Sequence, residues 1–193
     1  STLIPDEIAN NQGGCGTGFI IDNKGTIVTN HHVIDGAKKI AVRNGIGKVT
    51  TATVAAVSKD YDLAILELTN PYPKSYSIDS KDFEKPKAGD DVISIGYPGI
   101  GLTFEQPTIT QGIISKVFDD EMGIFLTTAA INSGNSGGPL FNLNGKLVGV
   151  SFAALDKKKW LDEMGQIPTD MGYAIKSNMI KDCLLYTSPS PRD

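Results

Sequence analysis

A chain of 193 residues is long enough for one domain, or for two very small ones. Hydrophobic residues make up 40% and charged residues 21%, an ordinary globular mixture that argues against disorder, and no run approaches the ~18 consecutive apolar residues of a membrane-spanning helix. The formal charge of −4, with Lys and Arg scattered, argues against nucleic acid as a partner, and 21 glycines with 10 prolines point to many turns between short strands.

The chain opens at Ser1 without a signal-peptide pattern, so compartment is not written at this end, and residues 1–13 read as a lead-in. Gly18 to Ile21 and Thr26 to Thr29 flank Asn23-Lys24-Gly25, a turn rich in residues that accept positive φ, and predict a hairpin. Further strands are expected at Lys39 to Val42, Thr51 to Val57, Leu63 to Leu68, Asp91 to Ile95, Ile109 to Val117 and Gly123 to Thr127. Leu140-Phe141 and Lys146 to Phe152 flank Asn144-Gly145, a strong hairpin signal, and Met171 to Ile175 is the last strand. Helical signals are limited to one short turn after the two histidines, closed by Ile34-Asp35-Gly36, and a brief helix from Met179, capped by Ser177-Asn178. About eleven short strands with turns between them predict a closed antiparallel barrel or a sandwich.

The most informative stretch is Gly134-Asn135-Ser136-Gly137-Gly138-Pro139. A serine among glycines can sit on a tight turn whose backbone amides converge on one spot, which suits nucleophilic attack and stabilisation of an oxyanion. The bland alternative is a glycine turn between strands. A serine nucleophile needs a base, and His31 and His32, directly after an apolar strand, are the only histidines. The carboxylate that orients an imidazole should stand at a strand end near the core. Asp62 opens Asp62-Leu63-Ala64-Ile65-Leu66-Glu67-Leu68, a run too apolar for a free surface strand, with Asp60 as the rival. Cys15 has no separate base, and Cys15 and Cys183 are too far apart for a metal or redox motif, although a disulfide between them is not excluded. No cluster has metal-site spacing and no glycine-rich loop has a phosphate-binding context, so neither metal nor cofactor is expected.

The order His, Asp, Ser is the chymotrypsin one. With it the chain resembles the trypsin-like protease domain of the HtrA/Deg serine peptidases, through Gly16-Thr17-Gly18-Phe19-Ile20-Ile21, Thr29-Asn30-His31-His32-Val33, Asp62-Leu63-Ala64-Ile65-Leu66, Ala129 to Leu140 and Gly172-Tyr173-Ala174-Ile175. The resemblance implies an all-β fold of two six-stranded antiparallel β-barrels of the chymotrypsin type, with few short helices, over residues 14–182. It implies Ser136 as nucleophile, His32 as base and Asp62 as its partner, with an oxyanion hole of the Gly134 and Ser136 amides and that of Asn135 nearby. Digestive relatives carry an aspartate at Asn135 that pairs with a new N-terminus, and an amide cannot do so. Ala130, six residues before Ser136, would form the pocket base, with Ile131, Ala153 and Ala154 lining a small to medium apolar slot. Thr127-Thr128 departs from the family's threonine–aspartate pair, and the charged stretch Ala154 to Asp170 is longer than in relatives.

The implied activity is endopeptidase hydrolysis of unfolded or misfolded polypeptides outside the cytoplasm. The implied setting includes a homotrimer and a downstream PDZ domain. Two alternatives remain: a chymotrypsin-fold protease with a narrow regulatory substrate, and a non-catalytic, chaperone-like binding module on the same fold. Residues 183–193, Cys-Leu-Leu-Tyr-Thr-Ser-Pro-Ser-Pro-Arg-Asp, are expected to be a non-native tail that does not continue the helix. One reading frame that encodes these eleven residues resembles a transposase adapter used in short-read sequencing; the alternative is a genuine Ser/Pro-rich linker.

Overall fold

Apolar, β-branched runs bounded by glycine turns become strands along the whole chain. The computed structural model describes residues 2–5 as backbone, and residues 14–72, 77–97, 106–152 and 171–185. The first half contains β1 (Thr2–Pro5), β2 (Gly16–Thr17), β3 (Phe19–Ile20), β4 (Thr26–Asn30), β5 (Ile40–Arg43), β6 (Val49–Ser58) and β7 (Leu63–Leu68). These form a seven-stranded antiparallel sheet in the order β2-β1-β5-β6-β7-β4-β3. The two edges, β2 and β3, are consecutive in the chain and separated only by Gly18. The sheet therefore rolls up on one strand broken at that glycine. Counted this way it has six strands, and this is how it differs from the regular six-stranded barrel expected. The lead-in also contributes more than expected, because Thr2–Pro5 pairs with both β2 and β5.

The second half closes as a barrel in the order β10-β13-β12-β11-β8-β9. Its strands are β8 (Asp91–Gly96), β9 (Thr108–Val117), β10 (Ile124–Thr127), β11 (Pro139–Asn142), β12 (Leu147–Phe152) and β13 (Gly172–Lys176). At the end of β10, where the pairing with β9 shifts register, Thr127 and Thr128 take over the bonding. The Thr127 hydroxyl donates to the Ile113 carbonyl at 2.9 Å, and the Thr128 hydroxyl accepts from the Ile113 amide at 2.9 Å.

Three apolar clusters explain why several strands are apolar on both faces. Ile27, Ala64 and Leu66 point into the first half, whereas Val92, Ile114, Phe125 and Val148 fill the second barrel. Alternate residues of the same strands, Val28, Leu63, Ile65, Val150 and Ile175, meet in a third cluster shared by both halves. Strand β7 is thus buried on both faces from Leu63 to Leu66 and turns only Glu67 to solvent. Among the described residues two α-helices complete the fold. The single turn α1 (His31–Ile34) runs from the histidines and closes where expected, with Gly36 in the left-handed region (φ 72°) ending it. Helix α2 (Asn178–Leu185) inserts Met179, Ile180 and Cys183 into the shared cluster. It runs three residues into the stretch expected to leave the helix, because Cys183 is apolar enough to be buried to 2% exposure.

Candidate active site

Strand β4 ends at Asn30, so α1 begins with the two histidines and places them differently. His32 Nδ1 lies 2.6 Å from Asp62 Oδ2, and the His32 backbone amide donates to Asp62 Oδ1 at 2.8 Å. One carboxylate therefore holds both the ring and the main chain of the same residue. His31 Nε2 stands 3.7 Å from Asp35 Oδ1, an i, i+4 pair whose aspartate is largely exposed. Asp60 is exposed as well.

Asp62 lies in the left-handed region at φ 51°, where aspartate is tolerated better than most side chains, at a cost on the order of 1 kcal/mol. Its carbonyl accepts from the His31 amide at 3.0 Å and from Asn30 Nδ2 at 3.1 Å, which together with the two carboxylate bonds offsets that cost. The preceding residue, Tyr61, reaches across to the second barrel, its hydroxyl 3.4 and 3.3 Å from the carbonyls of Asp120 and Glu121.

The serine turn packs against the β4–α1 junction. A single 3-10 turn, Ser133–Asn135, leads into Ser136, which is 1% exposed. Gly137 has φ 86°, and a Cβ there would strike the Thr17 carbonyl and the Thr29 hydroxyl, so only glycine fits. The peptide planes of the turn are tied. The Asn135 carbonyl accepts from the Gly138 amide at 2.8 Å and from the Ser151 hydroxyl at 2.6 Å. In a trans peptide the N–H points opposite to the carbonyl, so the Ser136 amide is directed away from β12.

The Asn135 amide donates to the Asn132 carbonyl at 2.9 Å. It is therefore engaged within the turn, which removes it from the three amides expected. The Asn135 side chain is fully buried, and neither its Oδ1 nor its Nδ2 has a partner among the described residues. An unpaired carboxylate there would carry a far larger desolvation cost, which fits an amide at this position.

Of the expected pocket residues, Ala130 is exposed and Ile131 half-buried, and the Thr110 hydroxyl donates to the Ala130 carbonyl at 2.9 Å. Ala153, Ala154 and the charged stretch that follows lie outside the described residues. Three supporting residues went unread in the sequence: Thr17, Asn30 and Ser151. Ser151 had a signal, as the one hydroxyl in a strand buried at every position. Cys15 and Cys183 are not joined. Among the described residues no group of three or more His, Cys, Asp or Glu is arranged to hold a metal ion.

The trypsin-like peptidase domain family matches residues 16–150. The chain belongs to that family. The chain is 35% identical over 186 residues to the periplasmic pH-dependent serine endoprotease DegQ of Escherichia coli, with 92% of the chain and 38% of the relative covered. It is 37% identical over 175 residues to the periplasmic serine endoprotease DegP of the same organism, with 86% and 34% covered. It thus spans well under half the length of these curated relatives. Among solved structures it resembles the serine endoprotease from Yersinia pestis, with a TM-score of 0.72, 30% identity, and 96% of this chain and 61% of that chain covered.

Proposed function

We propose that the protein is a serine endopeptidase that hydrolyses peptide bonds of unfolded or misfolded polypeptides. The observation that carries this reading is the double hold of Asp62 on His32, beside a glycine turn that presents Ser136. Ser136 Oγ attacks the scissile carbonyl carbon, and its proton passes to His32 Nε2. Asp62 keeps the other imidazole proton on Nδ1 and favours the imidazolium that forms. The negative oxygen of the tetrahedral intermediate is met by the amides of Gly134 and Ser136. His32 then returns the proton to the leaving amine, and water repeats the sequence on the acyl-enzyme.

Ala130 brings no buried charge to the pocket base, and burying an unpaired basic side chain there would be costly. With Ile131, and with Ala153 and Ala154, it favours cleavage after Val, Ala, Ile or similar residues. A peptide library dominated by cleavage after Lys or Arg would overturn this. An extracytoplasmic site of action follows from the relatives' printed names. A homotrimer and a downstream PDZ domain belong to the same proposal and rest on family resemblance. Among the described residues no helix is long and apolar enough to cross a membrane.

The test is Ser136→Ala. It removes one oxygen, so the fold should survive while casein hydrolysis drops by several powers of ten, on the order of 10⁶. A serine-directed phosphonylating reagent should label the unaltered protein and leave the variant unlabelled. Labelling that persists in the variant would remove Ser136 from the mechanism.

A further inference from the structure

Thr17 is a side chain in β2 that touches the serine turn from the other half of the molecule. It is 2% exposed, and all of its polar atoms are engaged. Its hydroxyl donates to the Gly134 carbonyl at 2.7 Å and accepts from the Tyr97 amide at 2.9 Å. Its amide donates to the Ser136 carbonyl at 2.8 Å, and its own carbonyl accepts from the Thr29 hydroxyl at 2.8 Å. One residue of the first half thus holds two carbonyls of the turn in the second, one on each side of Asn135.

The two contacts differ in what they require. The bond to Ser136 is made by the main chain and would be available to any residue except proline. The bond to Gly134 needs a hydroxyl. It also acts where the chain is least able to hold itself, because a glycine has no Cβ to restrict rotation of its peptide. With the Asn135 amide tied to the Asn132 carbonyl, the peptide joining Gly134 to Asn135 is pinned at both ends, by Asn132 on its N–H side and by Thr17 on its carbonyl side. Removing the hydroxyl frees one end of that plane.

We propose that Thr17 is a positioning residue for hydrolysis: its hydroxyl fixes the Gly134 carbonyl, and so the peptide that links the two flanking planes carrying the Gly134 and Ser136 amides that receive the oxyanion. The inference rests on the reading of Ser136 as nucleophile and of the Gly134 and Ser136 amides as oxyanion donors. Thr17 touches neither substrate nor reacting atoms. Its effect belongs to the transition state, since donors aimed at a developing charge matter little to a bound ground-state peptide. Loss of a whole oxyanion donor costs about 10²–10³ in kcat, and a misaligned donor should cost less, about 10- to 100-fold.

The experiment compares Thr17→Val, Thr17→Ala, Thr17→Ser and Ser136→Ala in the full chain. A fluorogenic peptide is used with competent sites counted by active-site titration, and each variant is melted in parallel. The valine and alanine variants should lose about 10- to 100-fold in kcat with KM within about threefold, and the serine variant should recover kcat to within about threefold. Affinity for a peptide boronate, which mimics the tetrahedral adduct, should fall in step with kcat/KM. Full kcat in a folded valine or alanine variant overturns the proposal. So does a loss confined to KM. If both variants fail to fold while Thr17→Ser is fully active, Thr17 serves stability alone and the proposal falls. Ser136→Ala separates the two levels, because activity surviving in that variant removes the nucleophile reading whatever Thr17 does.

Discussion

The most diagnostic single exchange is Asp62→Asn, because the two carboxylate oxygens have different partners. Oδ1 accepts from the His32 backbone amide at 2.8 Å, and Oδ2 faces His32 Nδ1 at 2.6 Å. A carboxylate can accept on both sides, whereas an amide offers one oxygen and one NH2 group. If the oxygen stays on the backbone amide, the NH2 group meets Nδ1, which must then accept, and the ring proton moves to Nε2. That tautomer cannot take a proton from Ser136. If the amide turns over, its NH2 group faces a backbone N–H, donor against donor. That clash disfavours the second orientation, which alone would keep the proton on Nδ1, so the first dominates and the base is disabled. The expected loss is about 10⁴ in kcat, or about 5.5 kcal/mol of transition-state stabilisation. The fold should be little affected, since asparagine is among the residues most tolerant of positive φ and the side chain keeps its shape. The assay is kcat and KM on a fluorogenic peptide beside a thermal melt. Activity within tenfold of the unaltered protein would refute the reasoning. So would a loss matched by collapse of the melting temperature.

His31→Ala should retain substantial activity, since His31 faces only the exposed Asp35, whereas His32→Ala should match the loss at Ser136; equal loss at His31 with none at His32 would reverse the assignment. Lys176 at 2.9 Å and Lys85 at 3.0 Å hold the Asp120 carboxyl at a pKa of about 2, below its ordinary 3.8. A depressed carboxylate stabilises the fold above its unfolded value and loses that contribution as pH falls through its folded one, so the melting-temperature gap between the unaltered protein and Asp120→Asn should be full at about pH 5 and narrow toward pH 2. A gap independent of pH would exclude this linkage. A chain ended after Asp182 should melt a few degrees lower and keep its kcat, because it loses the buried Cys183, about 1–2 kcal/mol of apolar packing. If residues 183–193 derive from an adapter, as we propose, resequencing the source should place another small or medium apolar residue at position 183, and recovery of the same eleven residues from an adapter-free read would refute that origin.

Much of this structure is local enough to be read from residue order. The hairpins at Asn23-Lys24-Gly25 and Asn144-Gly145 are dictated by positive φ at their glycines, and the apolar runs between them can only be strands. The family motifs also single out Ser136, His32 and Asp62 as candidates, because glycine spacing and an apolar run after an aspartate are written side by side in the chain, and the structure pairs His32 with Asp62. The elements that were missed depend on partners far away. Thr2–Pro5 carries no strand signal of its own length and is a strand because β2 and β5 offer it edges. Helix α2 outlasts its sequence pattern because the shared cluster accepts Cys183.

The same distinction runs through the site. The groups assigned to the chemistry are conspicuous in the sequence, but the groups that aim them are ordinary: a threonine between two glycines, an asparagine at a strand end, a serine in an apolar strand. Each acts on backbone more than on a side chain. Asn30 holds the Asp62 carbonyl, Ser151 the Asn135 carbonyl and Thr17 the Gly134 carbonyl. Backbone groups carry no identity in sequence, so their partners cannot be paired by motif. They must nonetheless be satisfied wherever they are buried. A site assembled from two halves of a chain concentrates such groups at the seam, where neither half's own ladder reaches them. Asn30 and Ser151 act within their own halves, whereas the Thr17 hydroxyl and amide cross the seam, satisfying the turn and fixing its direction at once. This is why removing the Thr17 hydroxyl should register in kcat before it registers in KM.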